Sequence, residues 1–166
     1  MISALRGVAL ALLFTVAAVA LHRTTRMTWF VAAGLAATLA TLGWRGGAWR
    51  RGALSGLVAG VPVFVAPALY FMFAHGRRCP DCAMTPSLTC TLVCLGTSAV
   101  VGMAVGHVAT RDGSPYRFAG GALATALLAG GLGCGTTGFG GALGVLVGLV
   151  AGSVTGWVVA SRTATA

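Results

Sequence analysis

Long apolar stretches, separated by short segments rich in arginine or turn residues, make up most of this chain. An α-helix needs roughly 20 apolar residues to cross a bilayer, and most of the stretches approach that length. Pro62 and Pro67 fall inside the third stretch and are expected to bend it, because proline removes a backbone donor. The pattern predicts six helices, at about Gly7–Leu21, Met27–Gly43, Ala53–Ala74, Ser87–Val108, Phe118–Leu132 and Phe139–Ala160.

The first apolar segment also fits a signal peptide. Arg6 supplies a positive start, residues 8–16 form an apolar core, and Ala18-Val19-Ala20 resembles a cleavage site. Because more hydrophobic segments follow at once, we expect this segment to stay as an uncleaved first helix, with removal of residues 1–20 as the alternative. The predicted fold is a single transmembrane helical domain, residues 1–166. It is an all-α integral membrane protein, a compact bundle of about six transmembrane helices.

Composition supports a membrane protein and excludes several function classes. The chain is 57% hydrophobic and only 8% charged, whereas a soluble domain carries about 25% charged residues. No nucleophile with a base, no carboxylate pair and no phosphate-binding loop is visible, so an enzyme is not favoured. The net charge of +9 comes from eleven arginines in short segments between apolar runs. That distribution indicates contact with membrane lipid headgroups rather than direct nucleic-acid binding.

The arginines also predict the orientation in a bacterial inner membrane. Six spans with an inner N-terminus leave four arginines in outer loops and seven in inner segments, and positive residues favour the cytoplasmic side. Both termini are therefore expected in the cytoplasm. The seven inner arginines are Arg6, Arg45, Arg50, Arg51, Arg111, Arg117 and Arg162.

All five cysteines then gather near the external face. Cys79 and Cys82 lie in the loop before the fourth predicted span, Cys90 and Cys94 at the start of that span, and Cys134 at the end of the fifth. Three interpretations stay open. An oxidising compartment favours disulfides or a redox couple. Thiolates, with His75 nearby, suit Zn or Cu(I). A free cysteine also packs as a small hydrophobe.

Five glycines recur at every fourth position along the last predicted span. They are Gly140, Gly144, Gly148, Gly152 and Gly156. Small residues at this spacing let helix backbones approach closely in lipid. We expect this face to pack inside the bundle, against the fifth helix, with a homodimer interface as the alternative.

The second half of the chain, from about Cys94 to Arg162, resembles the bacterial inner-membrane anti-sigma factors of the NrsF and CarR type. The resemblance lies in a cysteine-bearing helix, an arginine-bearing loop at residues 111–117, the sequence Ala119-Gly120-Gly121-Ala122-Leu123, and a glycine-rich helix ending at Cys134. It implies six spans with both termini inside and a paired Cys94 and Cys134. It also implies a regulator that holds a sigma factor at the membrane and releases it under oxidative or metal stress.

The leading functional prediction is therefore a thiol-based membrane sensor of the anti-sigma type. In this hypothesis oxidation or metal capture at the cysteines shifts helix packing, and the inner arginine loops report the shift. Two alternatives stay open: a quinone-linked membrane thiol-disulfide oxidoreductase, and a small metal-handling membrane protein.

Overall fold

The computed structural model describes the backbone of residues 26–74, 88–134 and 139–163, and the side chains of most of those residues. These ranges contain five helices and no strand, which confirms the all-α prediction. The first predicted span lies outside the described residues. The helices are α1 (Arg26–Arg45), α2 (Gly47–Ala74), α3 (Leu88–Ala109), α4 (Pro115–Cys134) and α5 (Phe139–Thr163).

Four of the five described helices are longer than the apolar runs that predicted them, and α3 has the predicted length, shifted by one residue. The largest difference is at α2, which begins at Gly47 instead of Ala53 and so includes Arg50 and Arg51. Arginine is a good helix former, so a helix extends beyond its apolar segment. The same helix continues through Pro62. Within the described ranges, two helices are long and apolar enough to cross a membrane, over Thr91–Ala109 in α3 and Gly140–Thr163 in α5.

A single residue, Gly46, separates α1 from α2. Its φ of 68° and the φ of 56° at Gly47 are left-handed values that glycine adopts without a steric penalty. The Gly46 amide donates to the carbonyl of Leu42 at 3.3 Å, which satisfies one carbonyl at the end of α1. This glycine turn reverses the chain between the two helices.

Two close-packed helix pairs form the centre of the described structure. A Cβ placed on Gly52 would meet the backbone of Phe118, and one placed on Gly56 would meet Ala122, so α2 runs parallel to α4. In the second pair, Gly152 lies against Ala99 and Gly156 against Met103, so α3 runs parallel to α5. Consecutive helices are thus antiparallel, and the tightest contacts join every second helix.

Large apolar side chains lie on the outside of these pairs. Phe30 is 75% exposed and Val58 71%, whereas fully buried positions include Ala122, Ala126 and Ala129. Larger side chains are buried mainly where α1 packs against the α2–α4 pair, in a cluster that includes Leu35, Leu39, Leu57, Phe64 and Leu132. Small residues therefore face inward between the paired helices, and large apolar residues cover much of the outer surface.

Candidate functional site

Cys94 is the one cysteine whose side chain the structure describes. It is the seventh residue of α3, about 9 Å along the helix axis from Leu88. Its side chain is fully buried, at 0% exposure. The structure shows it disulfide-bonded. Its sulfur is therefore oxidised and enclosed, in agreement with the disulfide interpretation among the three that the sequence left open.

The residues packed around Cys94 come from four helices. Its apolar cluster includes Val63 of α2, Ala126 of α4, and Val145 and Leu149 of α5. Val63 and Val145 also approach each other across Gly130, since a Cβ on that glycine would lie 2.7 Å from a methyl of Val63 and 3.2 Å from one of Val145. A displacement of the Cys94 side chain would therefore disturb an apolar cluster to which α2, α3, α4 and α5 all contribute.

The other predicted thiol and metal positions are not described at side-chain level. Cys79, Cys82 and His75 lie outside the described residues. Cys90 and Cys134 lie in α3 and α4, but their side chains lie outside the described part. Within the described side chains no group of three or more metal-ligating residues occurs.

The repeated glycines of the last helix face α3, not α4 as the sequence analysis expected. A Cβ on Gly144 would lie 3.2 Å from the Thr91 carbonyl oxygen, and one on Gly148 would lie 2.6 Å from that of Leu95. The small-residue face of α4 is already occupied by α2, where Gly121 meets the backbone of Trp49 and Gly133 that of Phe64. This face of α5 is thus covered within the chain.

One buried hydroxyl bridges each close-packed pair, a feature that the sequence analysis missed. Thr125 of α4 donates to the Ala53 carbonyl of α2 at 3.0 Å and also approaches the Gly121 carbonyl of its own helix at 2.8 Å. Ser98 of α3 shares its one hydroxyl proton between the Gly144 carbonyl of α5, at 3.3 Å, and the Leu95 carbonyl of its own helix, at 3.1 Å. Both hydroxyls pack beside a glycine, where backbones are close enough for such a bond.

The two predicted basic loops lie together at one end of the bundle. Asp112, between α3 and α4, forms an ion pair with Arg51 near the start of α2, at 3.0 Å. The Asp112 carboxylate also accepts a hydrogen bond from the Ser114 amide at 3.0 Å, just before Pro115 opens α4. The sequence contains eleven arginines and two acidic side chains. This imbalance could have indicated that each aspartate has an arginine partner, but it does not indicate which one.

Six of the seven arginines in the described ranges lie at this same end. Arg26 begins α1 at the opposite end. The guanidinium of Arg45 lies 5.9 Å from the ring centre of Trp49, which is a cation–π distance. The six arginines at the shared end are Arg45, Arg50, Arg51, Arg111, Arg117 and Arg162.

Comparison of the chain with protein-family models, with curated proteins and with solved structures found no match. The functional argument therefore depends on the residues and contacts described above.

Proposed function

We propose that the chain is a multi-pass protein of the bacterial inner membrane, built as a six-helix bundle with both termini in the cytoplasm. Support comes from the outer surface, where side chains such as Phe30, Val58 and Val100 are largely exposed. Large contiguous apolar surface is unfavourable in water and favourable in lipid. The arginine-rich end would face the cytoplasm, and the end of the bundle where α3 begins would face outward.

Its proposed activity is thiol-based regulation of the anti-sigma type. The observation that carries this proposal is the disulfide at Cys94, placed where side chains of four helices meet. Forming a disulfide removes two electrons and two protons from a pair of thiols and passes them to an oxidant. Breaking it would let α3 repack against its neighbours, because a close-packed interior transmits small displacements.

The proposed partner of Cys94 is Cys134, as the resemblance to anti-sigma factors implies. The proposed protein partner is a sigma factor, bound at the cytoplasmic end that carries Arg45, Arg50 and Arg51. The sigma factor would be held when Cys94 is a thiol and released when it is oxidised. We assign the bound state to the thiol and the released state to the disulfide because the resemblance implies release under oxidative stress.

Differential alkylation in whole cells tests the thiol part of this proposal. Intact cells are treated with a membrane-impermeant maleimide, then denatured with a second, permeant alkylating reagent, with or without a reductant. Denaturation is needed because the Cys94 side chain is fully buried. In unstressed cells we expect Cys94 to take up the second reagent without reduction. In cells first treated with an oxidant we expect uptake only after reduction, and a Cys94–Cys134 linked peptide in the unreduced digest.

Several outcomes would contradict the proposal. Alkylation of Cys94 in denatured, unreduced protein from oxidant-treated cells would show that the disulfide does not form under oxidative stress. Labelling that appears after chelation alone would indicate a bound metal such as zinc or cuprous copper. A co-purified quinone, together with mixed disulfides to other proteins, would indicate the oxidoreductase.

A further inference from the structure

A cavity lined by polar and apolar side chains opens at the arginine-rich end of the bundle. Its volume is about 510 Å³, and it lies between the last turns of α3 and α5 and the first residue of α4. The side chains that matter for its chemistry are His107 from the end of α3, Arg111 from the turn after it, Pro115 from the start of α4, and Trp157 from α5. Tyr116 stacks on Trp157, with ring centres 5.3 Å apart, and so holds this aromatic wall in place.

Arg111 gives the cavity a positive charge. One terminal nitrogen of its guanidinium lies 3.1 Å from Nε2 of His107. A guanidinium can only donate, so Nε2 accepts this hydrogen bond, and four of the five guanidinium N–H groups are left for other acceptors. Asp112 is the one carboxylate side chain within the described ranges, and it is already paired with Arg51. The charge of Arg111 is thus not balanced by a described carboxylate.

Helix ends of both signs border the cavity. Pro115 is the first residue of α4, so the positive end of that helix dipole borders the cavity. The negative ends of α3 and α5 border it as well, and each is partly satisfied by a hydroxyl. Thr110 donates to the His107 carbonyl at 2.7 Å, and Thr163 to the Ala160 carbonyl at 2.9 Å. The unbalanced charge of Arg111 is therefore the feature that favours a negatively charged group in this cavity.

An apolar groove lies beside this cavity on the surface of the bundle. Its volume is about 170 Å³, and Trp157 lines both spaces. Gly106 and Ala119 line the groove together with Val154 and Val158, whose side chains are exposed. A cationic cavity beside an apolar groove matches a ligand with an anionic head and a hydrocarbon chain.

The geometry points to a binding site for an anionic phospholipid of the cytoplasmic leaflet. Arg111 would bind the phosphate, and one acyl chain would lie in the groove beside Trp157. Free phosphate shares the head-group chemistry but has nothing to place in the groove, which favours the lipid. This inference rests on the proposed membrane location and does not depend on the redox role of Cys94.

Native mass spectrometry of the detergent-purified full chain tests the site. The probes are dioleoyl phosphatidylglycerol, dioleoyl phosphatidylcholine, and glycerol phosphate as the head group without acyl chains. We expect one phosphatidylglycerol to bind in preference to phosphatidylcholine, and Arg111→Gln to lower that preference about fivefold, as for one arginine near an anionic lipid surface. Arg117→Gln is the matched control, because this exposed arginine lies at the same end but does not line the cavity.

Three results would overturn the inference. An equal fall in the preference for phosphatidylglycerol in Arg111→Gln and Arg117→Gln would mean that the lipid responds to the net positive charge of this end and not to the cavity. Full competition by glycerol phosphate at equal head-group concentration would mean that the acyl chain is not recognised. An unchanged preference in Arg111→Gln would exclude Arg111 as the anchor. A chain that stays in the aqueous phase during detergent phase separation would instead contradict the membrane location itself.

Discussion

Arg51 and Asp112 are joined by three hydrogen bonds across the arginine-rich end of the bundle. The guanidinium Nε and one terminal nitrogen of Arg51 reach both carboxylate oxygens of Asp112, at 3.0 to 3.1 Å. The two residues are 61 positions apart in the chain, so the pair ties the start of α2 to the turn between α3 and α4. In the proposed function this is the end that would meet a cytoplasmic partner.

Replacing Asp112 with asparagine should weaken this connection only modestly. Arg51 is 63% exposed, and pairs in contact with water contribute up to about 1 kcal/mol. We expect a loss of that size in the free energy of unfolding, measured in detergent by denaturant titration. Arg50→Gln is the control, since Arg50 is a neighbouring exposed arginine. A loss of several kcal/mol in Asp112→Asn would mean that the pair is more than a surface contact.

Adding a methyl group at Gly152 should be much more damaging. A Cβ there would collide with the backbone of Ala99, and overpacking of this kind costs about 1–3 kcal/mol. Gly96→Ala is a matched control on α3, because nothing lies within 4 Å of the added Cβ. We expect Gly152→Ala to unfold at a clearly lower denaturant concentration than Gly96→Ala. Equal stability of the two variants would contradict the close contact between α3 and α5.

Thr125→Val tests the hydroxyl that joins α4 to α2. Valine keeps the shape of threonine but removes the donor to the Ala53 carbonyl, and such bonds in membrane proteins average about 0.6 kcal/mol. We expect a loss of that order in the free energy of unfolding. Thr155→Val is the control, because Thr155 is exposed and donates only within its own helix, to the Ala151 carbonyl. An equal or larger loss of unfolding free energy in Thr155→Val would show that the hydrogen bond between α4 and α2 does not cause the destabilisation of Thr125→Val.

The turn at Gly46 gives a fourth prediction. Its φ of 68° costs about 1–2 kcal/mol for a residue that carries a Cβ. We expect Gly46→Ala to lower the free energy of unfolding by about that amount. Gly43→Ala, placed in α1 where nothing lies within 4 Å of the new Cβ, should be neutral or slightly stabilising. The two variants would be compared in the same denaturant titration.

The helices in the described ranges could be predicted from the apolar runs, because each run is long and is bounded by arginine or turn residues. Their ends could not be predicted as well, as α2 shows by starting at Gly47. Helix formation continues past the apolar segment wherever the next residues tolerate it, and arginine does.

The packing partners were harder to predict than the helices. Spacing alone indicates that Gly144 to Gly156 form a close-packed face, but it does not indicate which helix covers that face. The answer depends on α4, whose own small residues Gly121 and Gly133 are already used against α2. For Cys94 the sequence left a disulfide, a metal ligand and a packed thiol open, because a position near a helix start does not show how its neighbours surround it.

Sigma-factor binding by the two thiol states tests the central claim most directly. Inner membranes that contain the tagged full chain would be reduced or oxidised, and the extracytoplasmic-function sigma factors that co-purify would be quantified. Cys94→Ser removes the thiol. Gly96→Ala is the control, since Gly96 lies two residues further along α3 and nothing lies within 4 Å of its added Cβ.

We expect reduced wild-type membranes to retain a sigma factor. Oxidised membranes should retain at most about one fifth of that amount, which corresponds to a modest allosteric coupling. Cys94→Ser should retain the sigma factor in both conditions, and Gly96→Ala should respond as the wild type does. Equal amounts in reduced and oxidised wild-type membranes, or no sigma factor in either, would contradict the proposed regulation.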